Sequence, residues 1–361
     1  MGKRKILNLS SLPSLKIIGV MSGSSMDGLD VALCEFTLIN KTFQYKIIQA
    51  KTFAYPPSIK QLLLNIRTTT LLNFFESNVI YAQWMGKKIN HWLSQNKLQA
   101  HAISIHGHTV FHHPEKGFSI QLGDPHHLAA ITQLPVIHNF RNLDIALGGQ
   151  GAPLVPIGDK LLFPQYDACL NIGGIANIYI QKKQLAYDIC IANMALNYFA
   201  QKLNKNYDYN GNLARKGKIN RSLLSALNHL KYFQQKPPKS LNREYFENHY
   251  LPLFKKHKLS NYDYLSTLTE HIAIQISQSI NLTNIQNVLI TGGGSLNKYL
   301  IDRIEFYSNK KIIISDKTIV KFKEALIFAL LGYLRIKELP NTIPSATGAS
   351  QSASCGEIVI V

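Results

Sequence analysis

The chain has 361 residues, 46% of them hydrophobic and 17% charged, which excludes disorder as a description of the whole and leaves apolar material for two cores. The longest apolar run, Ala325 to Leu334, is about ten residues, half of what a membrane-spanning helix needs. Lys and Arg outnumber Asp and Glu by 39 to 21, a formal charge of +18, but the cations are dispersed. No long block of like charge marks a nucleic-acid or membrane partner, so neither is expected, while an anionic small substrate would benefit from the positive field.

Four cysteines, Cys34, Cys169, Cys190 and Cys355, are scattered without zinc-site or disulfide-framework spacing, which points to a reducing compartment. The first twenty residues are basic, but Lys16 interrupts their short apolar stretch, so no export or anchoring signal is expected.

In chain order, Leu15 to Met21 reads as a buried strand, followed by the polar turn SGSSMDG and a second strand, LDVALCEF. Residues 58 to 98 read as helical. AHAISIHGHTVFHH reads as a strand, SIQLGDPHHLAAIT as strand, turn and helix start, and LPVIHNFRNLDIALGGQGAPLVP as a short strand leaving into a glycine-rich, proline-bounded loop. A second glycine-containing hairpin, DACLNIGGIANIYIQKKQLAYDI, lies about 150 residues after the first, which suggests a duplicated architecture with both hairpins facing one cleft.

After residue 190 the chain turns helical, and the prolines of KPPKSLNREYF impose an extended connector. In STLTEHIAIQISQSI, Thr267 and Glu270 have capping-box spacing, and Leu268, Ile272, Ile276 and Ile280 form a helical stripe. NVLITGGGSLNKYL reads as strand, triple-glycine turn and helix, and EALIFALLGYLRIK as a buried helix. No low-complexity linker divides the chain. The boundary is expected near residue 135, giving domains 1–135 and 136–361, with the helix at about 323–337 available to pack back on the first.

Three turns let backbone approach a ligand closely. In GVMSGSSMDG, Gly19 to Gly28, the N–H groups and hydroxyls suit phosphate oxygens, and Asp27 or Asp30 could hold magnesium through water. NIGGIAN contributes Gly173 and Gly174, and TGGG contributes Gly292, Gly293 and Gly294. No Walker A loop is present, the Gly211 to Lys218 stretch having one intervening residue too many. Three such turns, each beside an apolar strand, match the two phosphate loops and the adenosine loop of the actin, hexokinase and heat-shock-ATPase type of fold. The expected architecture is therefore α/β, with two ribonuclease-H-like domains flanking an ATP cleft. His106 and His108 would share a face of a regular strand, but ordinary polar or packed histidines explain the cluster of His106, His108, His112 and His113, with His126 and His127, better than a transition-metal site.

Nearly the whole chain resembles the anhydro-N-acetylmuramic acid kinases, bacterial enzymes of peptidoglycan recycling. The residues carrying the likeness are GVMSGSSMDGLDVAL, HGHTVFHHP with QLGDP, NFRNLDIALGGQGAPLVP, LNIGGIANI, YDICIAN, PPKSLNREYF, TGGGSLN, EALIFALL and Thr347 to Ala349. The resemblance implies a cytoplasmic homodimer that uses ATP and Mg2+ to open a 1,6-anhydro ring by hydrolysis and phosphorylate O6. It implies Asp188 as catalytic base and ATP contacts from Gly23, Ser24, Ser25, Met26, Asp27, Gly28, Leu29, Asp30, Gly173, Gly174 and Gly292 to Gly294. It implies sugar contacts from His106, Thr109, Arg141, Asn193 and Glu324, with Arg141 offering its guanidinium fork to the lactyl carboxylate.

The sequence also departs from the family. Cys190, Ile191 and Ala192 stand where a Gly-Pro-Gly bend usually follows the catalytic Asp, His108 replaces a Gln, Asn139 an Asp and Ser24 a Thr. The altered bend keeps two alternatives open: a kinase of the same fold for another sugar, and a nucleotide-binding regulatory protein without turnover.

Overall fold

The computed structural model describes residues 8–23, 28–40, 42–237, 239–281 and 285–361. Two compact units divide the chain: Met1–Leu162 with Phe322–Val361, and Phe163–Lys321. In chain order the strands are β1 (Ser14–Ser22), β2 (Leu29–Ile39), β3 (Thr42–Phe53), β4 (Ala102–His113), β5 (Phe118–Leu122), β6 (Val136–His138), β7 (Ala168–Ile172), β8 (Ile175–Ile180), β9 (Leu185–Ile191), β10 (Asn287–Thr291), β11 (Lys311–Ile314) and β12 (Glu357–Val359).

The first unit carries a sheet of order β12-β6-β4-β1-β2-β3, with β5 paired to β4. Its first three strands form an antiparallel meander, and β4 and then β6 add in parallel on the other side of β1. The second unit repeats the plan in the order β11-β10-β7-β8-β9: an antiparallel meander, with β10 and then β11 added in parallel beside β7. Both units thus have the ribonuclease-H-like strand order, and the fold is α/β. The boundary expected near residue 135 falls inside the first unit. β6, the short strand read there, pairs in parallel with β4 and so keeps the chain in the first sheet.

Local chemistry accounts for most elements. β1 is buried on both faces at Leu15, Ile17, Ile18 and Val20, which is why it reads as a continuous apolar run. The edge strand β3 alternates polar and half-buried residues and carries Lys46 and Lys51, which suit an edge that must not pair further. Helix Pro125–Thr132 starts on Asp124, whose carboxylate accepts the His127 N–H at 2.8 Å. Helices also flank the expected glycine-rich loop, at Asn142–Ala146 and Val155–Leu162.

One local expectation fails. Helix Asn261–Asn281 begins six residues before Thr267, so Thr267 and Glu270 form no capping box. Thr267 Oγ1 instead donates to the Asp263 carbonyl at 2.7 Å and accepts the Asn220 N–H, and Glu270 takes Arg303 in a two-pronged ion pair at 2.7 Å. The helix is buried along most of its length, and burial rather than a terminal signal sets where it begins. Its stripe of Leu268, Ile272, Ile276 and Ile280 is fully buried in the second unit's core.

Helix Lys317–Ile336 has a non-helical residue at Phe322, φ −116° and ψ 15°, and the division between units falls there. Beyond that break it lies flush on the first unit's sheet. A side chain at Gly19 would collide with the backbone of Ala325 and Ala329, and one at Gly332 would meet Ser104 Cβ at 2.6 Å. Because Ala325 and Ala329 present backbone, nothing there can move aside cheaply. Gly19→Ala is therefore expected to destabilise the first unit by at least about 2 kcal/mol, read as a lower denaturant midpoint for that unit. An unchanged midpoint would show that the helix does not seat on β1 this closely.

Candidate active site

In the first unit the candidate residues converge on Arg141, just after β6. Arg141 Nη2 and Nε meet His106 Nε2 at 2.7 and 3.3 Å, and Nη1 donates to the Gly151 carbonyl at 2.5 Å. His106 packs against the Phe328 ring, with centroids 4.8 Å apart, and Phe140 packs on the same ring. Among the described residues no carboxylate pairs directly with this guanidinium. Burial lowers Arg141 to about 10 against the attraction of Glu324 and Asp144, so it stays charged at neutral pH. A crowded cation without an anionic partner is what an anionic ligand group would satisfy.

Burial, reinforced by Arg141, holds His106 well below the ordinary imidazole range, so the ring is neutral. With Nε2 accepting from Arg141, its proton sits on Nδ1, and this buried Nδ1 has no partner among the described residues. His108 takes a different route: its Nδ1 lies 3.0 Å from Ser22 Oγ, which in turn reaches Tyr55 OH at 2.8 Å. The shared face expected for the two histidines is broken by a bulge, where His106 and Gly107 oppose the single residue Met21. His112 bonds Ser119, His113 bonds Glu115, and His127 bonds Asp124. Among the described residues no three metal-ligating side chains come together. Thr109 is half-buried on β4, opposite Gln121 of β5.

Asp144 was not singled out in the sequence. It is fully buried; Oδ2 accepts the Gly151 N–H at 2.8 Å and Oδ1 accepts the Thr347 hydroxyl at 2.8 Å. It thereby ties the glycine-rich loop, whose carbonyl holds Arg141, to the Thr347–Ala349 segment. Only tertiary structure reveals this, since Asp in NLDIA looks like any first-turn helix acid. Lys323, next to Glu324, is committed to Asp159 in a buried ion pair at 2.6 Å. Glu324 is solvent-exposed, yet the surrounding protein and the nearby Asp30 charge raise its carboxyl above the ordinary range against Lys323 and Arg141. Asp30 accepts the Thr52 hydroxyl at 2.5 Å, and Leu29 is buried beside it. Gly23 and Gly28 flank the first turn; Ser24, Ser25, Met26 and Asp27 lie outside the described residues.

In the second unit the other two glycine turns meet. The Gly173 carbonyl accepts the Asn193 N–H at 3.1 Å, the Gly174 carbonyl accepts those of Ala192 and Met194, and Asn193 Nδ2 donates to the Ile172 carbonyl at 3.2 Å. Gly292, at φ +82°, brings the triple-glycine turn so close that a side chain there would sit 2.6 Å from Asn171 Oδ1. Asn193, Gly293 and Gly294 line a cavity of about 280 Å³ with Asn197, Tyr207, Asp208, Tyr209, Asn210, Leu296 and Asn297. Its one carboxylate, Asp208, is spent on the Leu213 and Ala214 N–H groups, and Tyr207 and Tyr209 expose ring surface. The lining therefore suits a flat, uncharged group rather than phosphate.

Asp188, on β9, does not line that cavity. Its Oδ2 accepts the Leu241 N–H at 2.8 Å, and burial, opposed by that bond, raises its carboxyl to about 6. Where the family's Gly-Pro-Gly bend is replaced, β9 runs on through Cys190 and Ile191, both buried in the core, with a bulge at Ile189 directly after Asp188.

Replacing Asp144 by Ala would leave both the Gly151 N–H and the Thr347 hydroxyl without their acceptor. A loss of about 1–3 kcal/mol on chemical denaturation is expected; unchanged stability would mean the carboxylate does not hold the loop.

A family model for anhydro-N-acetylmuramic acid kinase matches residues 15–360. Relatives of that name include proteins from Microcystis aeruginosa, 34% identical over 95% of this chain and 99% of the relative, and Vibrio vulnificus, 36% identical over 94% and 96%. Another, from Francisella tularensis subsp. novicida, is 36% identical over 94% and 97%. Among solved structures, component A of (R)-2-hydroxyglutaryl-CoA dehydratase from Acidaminococcus fermentans gives a TM-score of 0.48 at 14% identity over 89% of this chain and 99% of that one, too distant to add to the topology.

Proposed function

The chain belongs to the anhydro-N-acetylmuramic acid kinase family, and from that premise we propose how its residues divide the reaction. It is a kinase of that sugar and draws its phosphoryl group from ATP. Asp188 acts as general base. It takes a proton from the water that attacks the anomeric carbon; the bond from that carbon to O6 breaks, its electron pair stays on O6, and O6 attacks the γ-phosphorus as ADP leaves. The products are N-acetylmuramic acid 6-phosphate and ADP, the chemistry of recovering a cell-wall sugar.

One observation carries the assignment: Asp188 is a carboxyl held near 6, with one oxygen bonded to a backbone amide. A base needs to be ionised at working pH yet avid for a proton, and burial supplies the second property. Arg141, held by His106 and Gly151 and lacking a carboxylate partner, binds the lactyl carboxylate, the His106 Nδ1–H donates to the sugar, and Thr109 and, from the second unit, Asn193 are further sugar contacts. Gly173, Gly174 and the first turn, Gly23 to Asp30, approach the phosphates. The cavity beside Gly292, Gly293 and Gly294 takes adenosine, with its tyrosine rings suited to a base.

Magnesium would be held through water by Asp30, a first-unit carboxylate of the oxygen-donor type it takes, and would neutralise phosphate charge, while Glu324 contacts the sugar. We place the protein in the cytoplasm as a homodimer without a nucleic-acid partner. The dispersed cations support the lack of a nucleic-acid partner, and the family resemblance implies the compartment and the dimer.

A coupled ADP-release assay with 1,6-anhydro-N-acetylmuramic acid tests the assignment. Asp188→Asn is expected to lower sugar-dependent turnover by about 10²–10⁴-fold. Since the base works only when ionised, wild-type kcat/KM should fall as pH drops through about 6. Near-normal turnover in the variant would remove Asp188 from the chemistry. Arg141→Lys, which keeps charge but loses the fork, is expected to raise the sugar KM by about 10-fold or more with the ATP KM unchanged; an unaltered sugar KM would send the carboxylate elsewhere.

A further inference from the structure

Asp188 is gripped by a stretch of chain that the reaction scheme does not use. Between helix Arg221–Asn228 and the segment beginning at Arg243, the connector sends three groups to this one residue. The Tyr232 hydroxyl donates to the Asp188 carbonyl at 2.6 Å, the Lys239 carbonyl accepts the Asp188 N–H at 3.0 Å, and the Leu241 N–H reaches Oδ2 at 2.8 Å. The connector is also braced on itself: Lys239 Nζ donates to the Tyr232 carbonyl at 3.0 Å and lies 4.4 Å from the centre of its ring. Tyr232 is 3% exposed, and its ring packs on Phe233 and Tyr245.

The consequence is an asymmetric carboxylate. A backbone amide cannot rotate away, so Oδ2 is occupied and the side chain is held in one orientation, leaving Oδ1 to receive a proton. We propose that Tyr232 is a positioning residue for this reaction: by pinning the main chain of Asp188 to the connector, it keeps the Leu241 amide on Oδ2 and so designates Oδ1 as the basic atom. The inference rests on the reading of Asp188 as the base.

The neighbouring titratable groups leave a clean signature. Cys190 and Tyr187 on the same strand, and Tyr232 and Tyr245 beside it, are all pushed up by burial, so none changes charge across neutral pH. Lys239, the cation among them, is lowered by burial. The Leu241 N–H favours the ionised carboxylate, so loosening that bond raises the pH at which Asp188 gives up its proton.

The test is Tyr232→Phe in the full chain, which retains the ring and removes only the hydroxyl. With melting close to wild type, kcat should fall about 3–10-fold, the KM for ATP should hold, and the acid limb of kcat/KM should move up by about half a pH unit. Following the Asp188 carboxyl directly by carbon NMR, with Asp188→Asn to assign its signal, reads the same shift without turnover. A uniformly lower rate with an unmoved acid limb and an unmoved carboxyl titration would overturn the positioning role while leaving Asp188 as base. If Asp188→Asn itself kept turnover, the reading beneath would fail first, so the two failures are distinguishable.

Discussion

The contact between helix Lys317–Ile336 and the first unit's sheet governs where that unit's candidate residues lie. Backbone touches backbone at Gly19, and Gly332 leaves room for Ser104, whose hydroxyl bonds the Phe328 carbonyl. Phe328 is thereby fixed against His106, and His106 against Arg141. The same helix delivers Glu324 one residue after Lys323, which the Asp159 carboxylate removes from competition. A shift of one helical residue would rotate these groups by about 100° and dissolve the arrangement. Close approach here costs two positions their side chains and yields a site whose polar groups rest on packed carbon.

The two units manage charge in opposite ways. In the first, a guanidinium is crowded by protein and held by neutral acceptors, an imidazole and a carbonyl, so its charge remains available to a ligand. In the second, a carboxyl is partly desolvated and given one amide, enough to orient it but too little to return it to the ordinary aspartate range. Both are unfinished electrostatic arrangements, and such incompleteness separates a site from a structural ion pair such as Glu270 with Arg303, where each partner is fully answered.

Much of this was legible in residue order because it follows from short-range rules. The hairpins at Gly23 and Gly173, the triple-glycine turn after β10 and the apolar stripe of helix Asn261–Asn281 are patterns of period two, period 3.6 and turn chemistry. What escaped is equally systematic. β11 and β12 are only four and three residues long and depend on partners far along the chain, as β12 does on β6. Thr267 and Glu270 had the right spacing for a cap, but a buried helix continued through them. His106 and His108 obeyed alternation on paper until a bulge at Gly107 sent one to Arg141 and the other to Ser22.

Residue order alone determined the family pattern with the carboxyl and guanidinium that carry it, the glycine turns at strand ends, and the α/β plan with its repeated meander. Asp144 as the anchor of the Arg141 loop, the Leu241 amide on one oxygen of Asp188, and the seating of a helix on Gly19 arose only in three dimensions. The reason is physical. Turn and helix preferences act between residues a few positions apart, whereas desolvation and hydrogen-bond partnership belong to whatever the folded chain brings near, here from positions 53 and 203 residues away.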